Sequence, residues 1–325
     1  MIIRVWAEYL TPEDFLDKKT MELLKKYDVK LGIAFPPGSM TPEYVRVLGE
    51  YGRNGVSVAL WPLLDDSLGY WPNELNVIEY SDYVDGICAW ADENKVGFDW
   101  LAIDMEPPYL MMEDFKTGGL KEKLGVVRRV LGENRDRGRF YDAGAAFNRL
   151  VERLHARGVK VAAAAADMAV WDMKMGTVGF QDALETPIST INFDLISPMV
   201  YTSMIVGYSK GLVSPGDARR HLYSVARDLK ESVWNRAGIC IGVTWTGKLM
   251  DEPYYETPRD LLPDMQAVKA ALIDDISIYN LEGILRSPRP EEWFETLIAA
   301  EPKTPERSLK VDIAHGLGRI AAKLL

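Results

Sequence analysis

The sequence predicts an α/β chain closed into a (β/α)8 TIM barrel, and three observations carry that expectation. Short apolar runs alternate with amphipathic stretches eight times along the 325 residues, a rhythm that implies parallel strands joined by helical crossovers. No Gly-rich phosphate turn follows the first strand, which weighs against an open doubly wound sheet. The composition, 47% hydrophobic and 26% charged, suits one large core or two smaller ones, and although length alone suggests about two domains, barrels of this kind occupy roughly 200–250 residues as one. The expected organisation is a single barrel domain over residues 1–300. A linker and an amphipathic tail over 301–325 follow, packed on its outside.

The elements read off in order. Ile2 to Tyr9 is the first strand, and Thr11-Pro12-Glu13-Asp14 supplies an N-cap, a Pro at N1 and acids in the first turn of a helix to about Tyr27. Lys30 to Phe35 is the second strand, and Thr41-Pro42-Glu43 opens the next helix in the same way. Val56 to Trp61 is the third, followed by a long loop and a helix over 73–94. Phe98 to Glu106 is the fourth. Helical sequence then fills 119–157 and stops at Arg157-Gly158, as a C-cap should. Val159 to Asp167 and Phe193 to Tyr201 are the fifth and sixth strands. Ser214-Pro215-Gly216-Asp217 starts a helix to about Arg236, Gly238 to Trp245 is the seventh strand, and residues 259–275 are helical. The eighth strand falls within 276–287, at either Ile276–Tyr279 or Gly283–Arg286, and Arg289-Pro290-Glu291-Glu292 opens the last barrel helix.

Charge and cysteine usage exclude several classes. A net charge of -10 with no basic cluster argues against nucleic acid and anionic membrane surfaces as partners. No apolar run reaches the roughly 18 residues that a membrane span needs. The start lacks a basic segment followed by a long apolar one, and Cys88 and Cys240 are isolated, with no disulfide framework. The cytoplasm is the expected compartment, secretion staying open if a leader was trimmed. Oligomeric state is not readable.

The stretch Phe98 to Pro108 is the most informative. On a strand, Ala102, Asp104 and Glu106 share one face while Leu101, Ile103 and Met105 cover the other. Two carboxylates then stand one above the other at a strand's C-terminal end. Each disfavours ionisation of its neighbour, which lifts one toward the range of a general acid. Sites in such barrels lie at the C-terminal ends of the strands. Those ends offer Trp6 and Glu8; Trp61 with Asp65, Asp66 and Trp71 beyond it; Asp104, Glu106 and Tyr109; Asp167 and Trp171; Tyr201; and Thr244 and Trp245. Five of the nine tryptophans fall at or just past strand ends. Flat aromatic faces with carboxylates between them suit the C–H faces and hydroxyls of a sugar, although large aromatics also plug barrel tops as plain packing. The alanine run 162–166 before Asp167 leaves room inside the barrel. His155, His221 and His315 all fall on helices or in the tail, so Ser-His-Asp triads, His-based proton transfer and His-ligated zinc are not expected. Cys88 and Cys240 read as small core residues.

The fourth-strand segment resembles the signature of family 18 glycoside hydrolases, the chitinase and endo-β-N-acetylglucosaminidase group, which reads D-x-x-D-x-D-x-E. Here it runs Asp99-x-x-Ala102-x-Asp104-x-Glu106, followed by Pro107-Pro108. Met199-Val200-Tyr201 on the sixth strand resembles that family's M-x-Y-D. Three positions depart from the family. Ala102 stands at the middle Asp, Thr202 at the Asp of M-x-Y-D, and Ser57-Val58-Ala59-Leu60 at S-x-G-G. No Trp matches the eighth-strand floor, where Arg286 or a neighbour stands. The resemblance implies an acid-assisted hydrolase of a β-linked, N-acetylated oligosaccharide, without metal or cofactor. Glu106 would be the acid and Asp104 the residue that orients the acetamido group, while Tyr201 would hydrogen-bond its carbonyl, the substrate's own N-acetyl oxygen attacking the anomeric carbon. Trp6, Glu8, Trp61, Tyr109, Asp167, Trp171 and Trp245 are the candidate substrate-binding residues.

Other readings stand beside this one. Glu106 could work with an ordinary carboxylate partner, for which Asp167, Glu8 and Asp65 are candidates. The barrel could bind sugar without cleaving it. Glu8, Asp104, Glu106 and Asp167 could form an all-oxygen Mg2+ site of a metal-dependent hydrolase.

Overall fold

Eight parallel strands pair each with its chain neighbour: β1 (Ile2–Ala7), β2 (Lys30–Phe35), β3 (Val58–Pro62), β4 (Trp100–Met105), β5 (Lys160–Ala166), β6 (Leu195–Met199), β7 (Gly238–Gly242) and β8 (Asp275–Tyr279). β8 returns to β1 with Ile2 opposite Asp275 and Trp6 opposite Tyr279, so the sheet is a closed cylinder. The computed structural model of the chain describes residues 1–107 and 135–325. Closure leaves no strand edge exposed, and helices cover the outside.

Strand alternation divides two cores. Leu101, Ile103 and Met105 on β4, and Ile276 and Ile278 on β8, join the large cluster between sheet and helices. Ala102 and Tyr279 on the same strands belong to a second cluster inside the cylinder, with Ala34, Trp61, Leu63, Tyr70, Trp71, Cys240 and Val243. At the N-terminal end of the cylinder the interior is filled by a charged pair. Arg4 is 4% exposed and meets Asp275 through two bonds of 2.8 Å, from Nε to Oδ1 and from Nη2 to Oδ2. Its guanidinium also lies 4.2 Å from the ring centre of Trp100. Strands 1, 8 and 4 are thereby pinned across the axis by a bidentate contact that lysine could not make. Above it, Gly32 is required by volume: a Cβ there would stand 1.9 Å from Trp6 Cε3. The missing side chain is the space the indole occupies.

The local signals act as expected at helix starts. Thr11 with Asp14, and Ser214 with Asp217, form capping boxes in which hydroxyl and carboxylate satisfy each other's backbone N–H. Several elements differ from expectation. The helix expected from residue 12 to 27 is two, Pro12–Leu16 and Lys18–Lys26, because Asp17 takes extended backbone and caps the second through Thr20 N. The helix expected over 73–94 starts at Val77, since Asn73 and Asn76 bond each other and the loop carbonyls of Leu68 and Trp71 instead. Of the helical stretch expected over 119–157, Arg137–Ala156 lies in the described residues. The eighth strand is the earlier of the two candidates, and Leu281–Arg286 is a helix capped by Asn280. Past a linker, the C-terminal helix Leu309–Leu324 packs on the helices Ala169–Met175, Gly179–Ala183 and Pro215–Val233. Among the described residues no helix is long and apolar enough to cross a membrane.

Removing one member of the Arg4–Asp275 pair leaves the other charge buried without its partner. Arg4→Met or Asp275→Asn alone is expected to cost about 3–5 kcal/mol in urea unfolding, and the double replacement Arg4→Met with Asp275→Leu to recover most of it.

Candidate active site

A cavity of about 580 Å3 opens at the C-terminal end of the cylinder. Its floor and walls are inward-facing residues of successive strands: Trp6 and Glu8 at the end of β1, Trp61 on β3, Ala102, Asp104 and Glu106 on and just past β4, and Ala164, Ala166 and Asp167 on and past β5. Met199 on β6 and Tyr201 just past it follow, then Cys240 on β7 and Tyr279 on β8. The small side chains of β4 and β5 make this volume possible, since Ala102 and Ala164 leave space where other strands carry aromatic rings. The rings are arranged edge to face, Trp6 with Trp61 at 5.9 Å and Trp61 with Tyr279 at 6.5 Å between centroids. This geometry locks their faces as walls.

Three acidic groups at the floor are destabilised as charges. Asp104 is 4% exposed, and its Oδ1 has no hydrogen-bond partner among the described residues. Burial pushes its carboxyl well above the ordinary range, and the neighbouring Glu106 and Glu8 push the same way. Burial also lifts Glu106, with Glu8 adding to it, to about 7. Glu8 is raised by burial, offset in part by the phenols of Tyr279, Tyr70 and Tyr9. The Tyr70 hydroxyl donates to its Oε1 at 2.8 Å and the Tyr279 hydroxyl to its Oε2. Glu8 is thus a fixed acceptor, held from both sides. Tyr201 and Tyr279 are pushed up by burial, so both remain neutral phenols able to donate. Cys240 meets the Tyr201 hydroxyl at 3.4 Å, and burial holds its thiol up at about 12, protonated and not a nucleophile.

Asp167 behaves oppositely. Burial alone would lift it, but a hydrogen bond with His221 (Nε2 to Oδ2, 2.6 Å) holds it below the usual carboxylate range. His221 and His315, read from the sequence as packing or surface residues, contact each other (Nδ1 to Nε2, 2.9 Å) behind a cavity-lining acid. Residues far apart in the chain make this contact, one on the helix Pro215–Val233 and one on the C-terminal helix, and no local pattern announces it.

The candidates divide plainly. Trp6, Glu8, Trp61, Asp104, Glu106, Asp167 and Tyr201 line one cavity. Trp171 does not: its indole turns outward to Phe180 and His315, under the C-terminal helix. Trp245 does not line it either, being packed on Tyr254 at 4.9 Å and covered by the Arg286 guanidinium at 4.1 Å. Both lie past their strands, where loop direction rather than strand alternation sets the side chain. Tyr109 lies outside the described residues. Asp65 caps the turn Asp66–Leu68 at the surface, and Thr244 bonds the Asn280 carbonyl. Thr202 turns away to Asp264 and the Tyr255 hydroxyl. Lining residues that the sequence did not single out include Tyr279, Tyr208, Lys248 and Glu252. Glu252 shapes its own loop by accepting from Gly247 N and Leu249 N. Tyr279 would have followed from the correct choice of eighth strand. Among the described residues no group of three or more His, Cys, Asp or Glu is placed to hold a metal ion.

Known structures share this barrel. The PgaB (BpsB) glycoside hydrolase domain from Bordetella bronchiseptica aligns with a TM-score of 0.51 at 11% identity, over 94% of this chain and 100% of its own. The spore cortex-lytic enzyme SleL of Bacillus megaterium QM B1551 aligns with a TM-score of 0.52 at 13% identity, over 94% of this chain and 75% of its own. An L-ribulose 3-epimerase aligns at 0.47 and 11% identity, over 100% of this chain and 96% of its own. The likeness of the first two at this distance establishes the fold alone. No protein-family model and no curated protein matches the sequence.

The raised Glu106 makes stability depend on pH in a defined direction. Below about pH 4.5 folded and unfolded chains both keep this proton. Between there and about 7 only the unfolded chain releases it, so stability falls with rising pH across that window. Glu106→Gln is expected to remove this fall and leave the protein about 3 kcal/mol more stable than the parent at pH 8, and little changed at pH 4, in denaturant titrations.

Proposed function

We propose that this chain is a glycoside hydrolase acting on a β-linked, N-acetylated oligosaccharide, by the substrate-assisted route that its resemblance to family 18 implies. The observation that carries the reading is the Asp104–Glu106 pair at the floor of an aromatic-walled cavity, with Glu106 lifted to about 7. A carboxylic acid still protonated near neutrality is what cleavage of a poor leaving group requires. The glycoside hydrolase named among the structural neighbours fits the same class of chemistry.

In this reading the sugar bearing the N-acetyl group sits over Ala102, its apolar face against Trp6 or Trp61. Asp104, whose Oδ1 has no partner among the described residues, accepts the acetamido N–H. The Tyr201 hydroxyl donates to the acetamido carbonyl and turns it toward the anomeric carbon. Glu106 gives its proton to the glycosidic oxygen as the bond from that oxygen to the anomeric carbon breaks. The carbonyl oxygen bonds to the same carbon, giving an oxazolinium whose positive charge faces Asp104. Glu106, now a carboxylate, takes a proton from the water that opens this ring, which restores both enzyme and sugar. Burial and the neighbouring Glu106 and Glu8 hold Asp104 toward its protonated form before reaction, Ala102 adds no third acid to them, and the positive charge of the oxazolinium then favours the ionised form.

Glu106→Gln is expected to lower kcat on aryl β-N-acetylglucosaminides or chitooligosaccharides by about 10²–10⁴-fold. In the parent, kcat/KM should fall as pH rises through about 7, where the acid loses its proton. Unchanged turnover in Glu106→Gln removes the proposal. Saccharide binding by calorimetry with no product from a glycan panel reassigns the cavity to binding without cleavage.

A further inference from the structure

Behind Asp167 runs a chain of hydrogen bonds whose direction is dictated by its last member. The Trp171 indole Nε1 lies 3.3 Å from His315 Nδ1. An indole N–H only donates, so His315 Nδ1 must accept. A neutral imidazole carries one N–H, which places the His315 proton on Nε2, aimed at His221 Nδ1 at 2.9 Å. His221 then accepts at Nδ1 and carries its own proton on Nε2, aimed at Asp167 Oδ2 at 2.6 Å. These tautomers follow from donor and acceptor complementarity alone. Every donor in the series points toward the carboxylate and none points back.

The scaffold for this series is the C-terminal helix Leu309–Leu324, which lies outside the barrel. His315 on it is 4% exposed. Gly318, one turn on, lets the helix settle on the indole, since a Cβ there would stand 2.6 Å from Trp171 Cε3. Arg319 pairs with buried Asp228, and Asp312 takes the Arg220 guanidinium at 2.9 Å, so the helix is fixed on both sides of His315. The charged groups facing the two imidazoles are Asp167, Asp228 and Arg319, with the Asp312–Arg220 pair and Arg307 beyond them. Burial and the neighbouring His221 push His315 down to about 4, consistent with a neutral ring in mid-chain.

We propose that the C-terminal helix belongs to the catalytic unit: through His315 and His221 it holds Asp167 as an oriented carboxylate at the cavity wall, the fixed negative charge that balances positive charge developing on the sugar while Glu106 supplies the proton. The catalytic part of this statement rests on the glycosidase reading above. Asp167 is the group that meets substrate, and His221, His315 and Trp171 are positioning residues. The two carboxyl environments are thereby driven apart, one acid kept protonated and the other ionised, which is how acid and counter-charge are separated within one pocket.

The test is a carboxyl-carbon NMR titration of the full chain, with Asp167→Asn for assignment, run beside the pH profile of hydrolysis of an aryl β-N-acetylglucosaminide. The midpoint of Asp167 in the parent is expected below that of an ordinary aspartate. In His315→Phe, which removes the donor aimed at His221 Nδ1 and leaves that ring free to turn away from Asp167, it is expected to rise by about one pH unit. Because turnover needs the ionised form, the acidic limb of kcat/KM should move up in pH by the same amount while the alkaline limb set by Glu106 stays. His315→Gln, whose amide can both accept and donate, should restore both. If His315→Phe fails to fold, Trp171→Phe, which only frees the tautomer, should shift Asp167 in the same direction. A midpoint unmoved in these variants, or an acidic limb that does not follow it, overturns the proposal. If the parent cleaves no N-acetylated glycoside, the hydrolase reading fails on its own, and the titration still decides whether the helix controls Asp167.

Discussion

Closure of the sheet is the constraint from which the rest follows. Eight parallel strands satisfy each other's backbone groups only if β8 meets β1, and the Arg4–Asp275 pair is placed across that seam. A buried ion pair is a poor source of net stability but a strong source of specificity, because any register that separates the partners leaves a charge in a dry interior. This pair and Trp100 fill the N-terminal end of the cylinder, and the cavity lies at the other end. The alanines of β4 and β5 and the glycine opposite Trp6 decide where that volume lies.

The cavity then sorts carboxyl groups by environment. Asp104 and Glu106 are buried beside each other and near Glu8, and are held toward their protonated forms. Asp167, on the next strand, is reached from behind by an imidazole and held ionised. Residues of one chemical type thus acquire two states within a single pocket. The difference arises from what stands behind each side chain rather than from the side chain itself. The aromatic walls contribute by excluding water, which strengthens both effects.

Much of this was legible in the chain. The βα rhythm, the capping signals at Thr11 and Ser214, and the alternation of Ala102, Asp104 and Glu106 against Leu101, Ile103 and Met105 are local properties. Local properties survive into the fold because period-two alternation directly specifies two faces. The expected strand faces placed Trp6, Trp61, Asp104 and Tyr201 at the cavity; Trp171, expected in the loop beyond the fifth strand, does not line it, nor does Trp245, because β7 ends at Gly242 and not at Trp245 as expected. A loop has no periodicity to say which way a side chain points. The eighth strand was ambiguous because both candidate runs are short, apolar and of similar length, and only pairing with β1 and β7 chose between them.

The sequence by itself determined the order of elements, the faces of the strands and the carboxyl pair on one of those faces, since each depends on neighbours within a few residues. Tertiary structure alone decided that His221 and His315, 94 residues apart, stand in a line behind Asp167. It likewise decided that Tyr70 and Tyr279 grip Glu8, and that the C-terminal helix reaches the wall of the site. Contacts between distant segments are set by how the cylinder and its helices pack, and the spacing of residues along the chain carries no record of them.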